Sequence, residues 1–218
     1  MQVTAVIVTL CSVVALGYAC CTPDQWEGAE ASIGGWATKK RHGLLKEYIK
    51  VSYDATNNRT AAFLDYVNGD FSNKYQIVTR YDEGVGKLYV VDLKKDKCWT
   101  KELTRPFRKA CIPDSAKSMG EYYLGLEGGF KVSGFEVKGK SFQVFVSVQL
   151  LDNNQCVPVG ETVTGSLRKA DFVQNVGFIN VTPGIKNETV FDIPKACEKM
   201  EDFSLAEELS REHYIMAV

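Results

Sequence analysis

Cysteines, histidines and Asn-x-Thr tripeptides are the residues of this sequence with chemistry to offer, and the cysteines carry the clearest pattern. Cys20 and Cys21 are adjacent. Neighbouring cysteines rarely bridge each other, because the peptide between them keeps their Cβ atoms out of disulfide geometry. Each therefore needs a distant partner. The pair follows an apolar run from Val3 to Leu16, broken only by Thr4, Thr9 and Ser12, and the small residues Gly17 and Ala19. That arrangement predicts a signal peptide over 1–19, although no Lys or Arg precedes the run. Cleavage after Ala19 removes Cys11 and leaves Cys20, Cys21, Cys98, Cys111, Cys156 and Cys197. An even number of cysteines in a secreted chain predicts three disulfides, with fifteen pairings that spacing does not decide. Zinc is the rival use. No Cys-x-x-Cys occurs, and His42 and His213 are the sole histidines, which argues against a structural zinc site.

Asn58, Asn180 and Asn187 each begin an Asn-x-Thr acceptor. In a secreted chain they become candidate glycan sites on exposed loops. Enzymatic constellations are scarce. There is no Gly-x-Ser-x-Gly elbow, His-Glu-x-x-His or phosphate-binding Gly-x-x-x-x-Gly-Lys-Ser/Thr, so no catalysis is expected. A glycosidase needs only two carboxylates, and pairs such as Asp82-Glu83 read as solvated charge. With 26 basic and 27 acidic residues, nothing suggests a nucleic-acid partner. No stretch after the leader is apolar enough to cross a membrane as a helix.

The elements that must position these residues read as strands. Leu45, Ile49, Val51 and Tyr53 share an apolar face with Glu47, while Lys46, Lys50 and Ser52 face the other way; that alternation predicts a half-buried strand. Ala61–Val67, Tyr75–Tyr81, Leu88–Leu93 and Cys98–Leu103 read likewise. Phe142, Val144, Val146, Val148 and Leu150 give the clearest strand face. Glu161–Leu167 and Asp171–Val181 follow as strands. Gly34-Gly35-Trp36 with Lys39 to His42 reads as loop or edge strand, and Arg105 to Gly120 as irregular because of Pro106 and Pro113. One or two short strands are expected around Phe130–Val132 and Phe135–Val137. Beyond Pro194, Met200, Phe203, Leu205 and Leu209 recur at helical spacing, with Ser204 as cap. Many short strands and few helices predict an antiparallel all-β protein: a β domain over 20–197 and an acidic amphipathic tail over 198–218.

The run Pro23-Asp24-Gln25-Trp26-Glu27-Gly28, three residues after Cys20, resembles the start of the ependymin-related proteins. Three later segments support the likeness in order and spacing: Lys95-Asp96-Lys97-Cys98, Asn154-Gln155-Cys156-Val157-Pro158-Val159 and Ile193-Pro194-Lys195-Ala196-Cys197. The resemblance implies that Cys20 pairs with Cys156 and Cys98 with Cys197. Cys21 and Cys111 lie outside that pattern and are left for each other. It further implies two antiparallel sheets curved into a half-barrel similar to bacterial lipoprotein carriers, with a short C-terminal helix. It implies a secreted or lysosomal glycoprotein that dimerises and holds a hydrophobic ligand.

From these readings the expected function is binding of a fatty acid, phospholipid or other apolar molecule between the sheets. The pocket residues expected are Phe142, Val144, Val146, Val148 and Leu150 on one wall, with Tyr75, Ile77 and Tyr81 on the opposite wall. The plainer alternative for the same valine face is a dry sandwich core. No cofactor is required by any motif; calcium is the one the resemblance adds, through calcium-dependent contact with extracellular matrix, and no residue here carries a calcium motif. Matrix adhesion without a pocket ligand is the alternative function.

Overall fold

The structure is a computed structural model that describes residues 18–82, 85–167 and 169–198. The strands in chain order are β1 (Tyr18–Cys21), β2 (Gln25–Ala37), β3 (His42–Asp54), β4 (Arg59–Asn68), β5 (Phe71–Asp82), β6 (Val85–Asp92), β7 (Lys97–Leu103), β8 (Cys111–Pro113), β9 (Lys117–Leu124), β10 (Phe130–Lys138), β11 (Phe142–Leu150), β12 (Cys156–Leu167) and β13 (Ala170–Pro183). Short 3-10 turns lie at Asp152–Asn154, Glu188–Phe191 and Lys195–Cys197. The helix expected from Ser204, like the signal peptide up to Gly17, lies outside the described residues.

Two antiparallel sheets result. One is the ribbon β1–β8; the other runs β7-β6-β5-β4-β3-β2-β13-β12-β11-β10-β9 and is not closed. Every neighbour in the large sheet is a sequential hairpin except one. That exception is β2 against β13, where Trp26 to Ala37 pairs with Pro183 to Asp171. This seam joins two meanders, β2 to β7 and β9 to β13, into one sheet.

The seam corrects the reading of Gly34-Gly35-Trp36 as loop or edge, while Lys39 to Arg41 does lie in the loop between β2 and β3. β2 is a central strand, paired with β13 on one side and β3 on the other. Its glycines serve close approach. A Cβ on Gly34 would stand 2.6 Å from the Val173 carbonyl oxygen, and one on Gly28 3.1 Å from Val181 Cγ2. Residues 117–124, placed partly in the irregular stretch, form the edge strand β9, exposed along its whole length. Of the one or two strands expected around Phe130 and Phe135, a single strand, Phe130–Lys138, forms.

The segment that opened the resemblance anchors one end of the seam. Gln25 Nε2 donates to Asp54 Oδ1 at 3.1 Å, and Asp54 also accepts from Asn57 and Arg59. Burial pushes the Asp54 carboxyl up, but these donors together outweigh it and hold it below the usual range. Trp26 stacks on Tyr53 at 5.7 Å. Tyr53 Oη accepts from the Ala110 amide, and Phe107 packs against both Tyr53 and Tyr81. The motif thereby pins the 104–110 loop over the sheet end.

All three expected disulfides form: Cys20–Cys156, Cys21–Cys111 and Cys98–Cys197. Cys21–Cys111 joins directly opposed residues of the β1–β8 ribbon. Cys98–Cys197 ties the C-terminal segment to β7, where Phe191, fully buried, packs with Ala61, Val78, Tyr89 and Val91.

Gly34→Val should lower stability by about 1–3 kcal/mol or prevent folding, because the added carbons meet backbone rather than a mobile side chain. Urea unfolding checks this, with Gly69→Val, at a turn with open space, as a contrast that costs through its left-handed backbone only. Replacing Cys98 and Cys197 together by Ser should destabilise by about 2–5 kcal/mol. Hydrogen exchange should then quicken first in β6 amides beneath the C-terminal segment.

Candidate functional site

The ladder registers decide which side chains share a face. One row crosses the sheet as Phe135, Val146, Glu161, Val176, Ser32, Glu47, Tyr66 and Asn73. The next row holds Phe178, Glu30, Ile49, Leu64, Tyr75 and Asp92. We call this the inner face. It carries an apolar cluster at each end. Val144, Val146, Val148 and Val163 pack with Cys20, Ile112 and Cys156, so the β1–β8 ribbon lies on this end. Ile49, Ala62, Leu64, Tyr66, Tyr75 and Val90 form the other cluster, with Ile77 and Trp99 against it.

The expected pocket residues therefore share one face of one sheet. Val144, Val146 and Val148 are buried in the first cluster, and Tyr75 and Ile77 belong to the second. Phe142 and Leu150, at the two ends of β11, are largely exposed. Tyr81 faces the same way but joins the Trp26–Tyr53–Phe107 aromatic group; its hydroxyl is pushed up by burial.

Between the clusters, on β12, β13, β2 and β3, the inner face turns polar. Gln174 Nε2 donates to Glu47 Oε2 at 2.6 Å and to Ser32 Oγ at 2.7 Å, and Ser32 Oγ donates to Glu47 at 3.0 Å. Gln174 is only 1% exposed, and its Oε1 has no hydrogen-bond partner. Glu30 and Glu161 are half-buried and accept no hydrogen bond among the described residues. Burial raises the Glu30 carboxyl to about 7, helped by Glu161 and Glu47. Burial alone raises Glu161 to about 7. Three carboxylates thus share a weakly hydrated trough flanked by apolar side chains. Sequence reading noticed only Glu47, by its place on an apolar face; Glu30 falls between the Trp26 motif and Gly34, where no element was read.

Among the described residues no group of three His, Cys, Asp or Glu is arranged to hold a metal ion, and no helix is long and apolar enough to cross a membrane. The candidate glycan acceptors are all exposed. Asn58 sits in the β3–β4 turn with φ 51°. Asn187 Oδ1 accepts from Thr189 N and Oγ1. Asn180 lies at the bulge within β13, inside the strand read over Asp171–Val181 rather than in a loop, also at φ 51°. It lines a cleft of about 360 Å³ on the opposite face with Tyr48, Lys50, Phe63 and Lys186.

The carboxylates set the direction of pH dependence. Glu30 and Glu161 hold protons in the fold up to about 7, against 4.5 when free. Their contribution is fully present below 4.5 and is lost as pH rises through about 7. Asp54 and Asp92 have the opposite sign: both are lowered from 3.8, so their contribution is present above that value and lost in acid. Stability should therefore peak in mild acid. Glu30→Gln with Glu161→Gln should flatten the fall from 4.5 to 7, gaining about 3 kcal/mol at most per carboxylate at neutral pH. Thermal unfolding across that pH range checks it.

Comparison with known proteins gives a consistent family. An ependymin-related protein 1 of Haliotis asinina is 25% identical, over 83% of this chain and 91% of that one. Mammalian ependymin-related protein 1 of Rattus norvegicus is 24% identical, over 88% and 81%. A conserved Thermus thermophilus protein of known structure is 9% identical and aligns over 81% of this chain and 88% of its own, with a TM-score of 0.46. The family model described as Ependymin matches residues 70–197. On that match, the chain belongs to the ependymin family.

Proposed function

We propose that this protein is a secreted, disulfide-linked binder of hydrophobic molecules that holds its ligand in the inner-face trough without catalysis. The observation that carries this reading is the order of exposure across the sheet. Two buried apolar clusters flank partly exposed residues, Glu30, Ser32, Glu161 and Phe178, on one open face. A trough with apolar flanks and a few convergent polar groups is the usual form of a small-molecule site. Each methylene withdrawn from water there contributes about 0.8 kcal/mol before ordering costs. Three disulfides fit passage through the oxidising secretory pathway, which leads outside the cell or to the lysosome. Glycans on Asn58, Asn180 and Asn187 and assembly into a dimer belong to the same reading, as extensions of it.

Adhesion to matrix is the second reading, favoured by the outer face. Ile33, Leu44, Tyr48 and Val173 are all more than 40% exposed on β2, β3 and β13, and this face suits a macromolecular partner.

Uptake of a neutral fluorescent apolar dye, with native mass spectrometry for co-purifying lipid, tests the first reading. Val146 lies opposite Glu161 at the trough's edge, so Val146→Glu should cut dye affinity about tenfold or more. Unchanged affinity in a folded Val146→Glu protein, or a wild type that takes up no apolar molecule, would count against it. Turnover on a lipid and glycan panel would overturn the absence of catalysis.

A further inference from the structure

The trough is more specific than an oily groove. A carboxylate withdrawn from water without a cation or donor is costly, and here Glu30 and Glu161 have neither among the described residues. The groups facing them are known from the registers. Glu47 comes from β3, Tyr66 from β4, Tyr75 from β5 and Asp92 from β6, with Lys97 and Lys101 exposed on edge strand β7; at the other end Lys131 of β10, exposed, pairs with Glu121 of edge strand β9, and β11 and β13 contribute no charge. The charged groups acting on Glu30 are both carboxylates. An independent sign comes from Gln174. Its amide nitrogen is spent on Ser32 and Glu47, and its buried Oε1 is an orphaned acceptor in the same cluster. Such an acceptor calls for a donor.

Two carboxylates and an orphaned carbonyl, in an apolar surround, match one kind of head group. An ammonium offers three donors, no acceptor and a positive charge. A fatty-acid carboxylate offers the reverse and meets like charge. We propose that the trough receives the protonated amine head group of a long-chain amphiphile, held by Glu30, Glu161 and the Gln174 carbonyl, with its alkyl chain on the flanking apolar clusters. This rests on the reading of the inner face as a ligand trough, and it reverses the head-group chemistry expected from the fatty-acid and phospholipid assignment.

Titration of the carboxylates gives the assignment its own signature. An alkylamine stays charged well above neutrality. Glu30 and Glu161 lose charge below about 7. Amine binding therefore weakens in acid through the protein, not through the ligand.

The test uses the full chain, loaded with the neutral dye and competed by hexadecylamine, hexadecanoic acid and hexadecanol. These share one chain length and differ at the head. At pH about 8 the amine should displace dye at roughly tenfold lower concentration than the alcohol, and the acid should be the weakest. At pH about 5 the amine's advantage over the alcohol should fall to about onefold. In Glu30→Gln with Glu161→Gln the ratio should be about one at both pH values. Amine no better than alcohol in the wild type at the higher pH overturns the inference, as does a preference that survives in acid or in the folded double variant. The wild-type pH comparison decides the matter even if that variant fails to fold. Dye uptake with no amine preference leaves the trough and removes only its head-group assignment. A protein that takes up neither dye nor, by native mass spectrometry, any of the three amphiphiles overturns both.

Discussion

The pairing of β2 with β13 is the constraint on which the rest of the structure depends. All other neighbours in the large sheet are hairpins, whose registers follow from short turns. The seam alone brings together residues from opposite ends of the chain, and it needs a β2 backbone bare enough to approach β13 closely. Gly28 and Gly34 supply that bareness. Two of the disulfides act near it in sequence: Cys20 and Cys21 precede β2 immediately and reach Cys156 at the start of β12 and Cys111 in β8. They fix where the first meander meets the second. Closing such long loops covalently removes about 4–5 kcal/mol each of unfolded-state freedom as an upper figure.

The same seam carries the polar trough, and the coincidence has a physical reading. Ser32, Glu30, Gln174 and Val176 come from the two seam strands, with Glu47 and Glu161 from the strands beside them. Small residues at a seam leave room above the sheet, and room above a sheet is where unpaired polar atoms survive. Elsewhere the buried carboxylates of the fold are well paired: Asp54 takes four hydrogen bonds, and Asp92 accepts from Asn73, Lys94 and Lys95. Glu30 and Glu161 depart from that rule, beside the orphaned Gln174 carbonyl; Thr22 Oγ1 and Trp26 Nε1, at the end of the sheet, are buried without a partner as well. Departures from polar satisfaction in a well-paired fold concentrate at functional positions.

Much of the fold was legible in the sequence where burial is one-sided. β11 shows clear alternation because Val144, Val146 and Val148 face a cluster and Gln143 and Ser147 do not. β9 was missed for the converse reason: all eight of its residues are exposed, so no alternation exists to read. β2 was missed because its glycines, a turn signal in isolation, answer here to a neighbour far away in sequence. The disulfides were legible through the family resemblance, not through spacing. Of the site, Glu47 gave the one local hint, a carboxylate on an apolar face; which other carboxylates surround it depends on strand order, and strand order across the seam is not written in any short segment.

The seam also orders events in time. A chain made from its N-terminus presents β2 early and β13 last of the described strands of the large sheet. While the ribosome is still adding residues, the first meander exists with its most central strand as an open edge. Exposed edges recruit other strands, and long-range pairing forms slowly. In β2 the Gly34-Gly35 step offers a visiting strand no side chains to pack against, which makes it a poor template for strangers until its own partner arrives. Vectorial synthesis thus gives the glycines of β2 a second role, as guardians of an unfinished sheet.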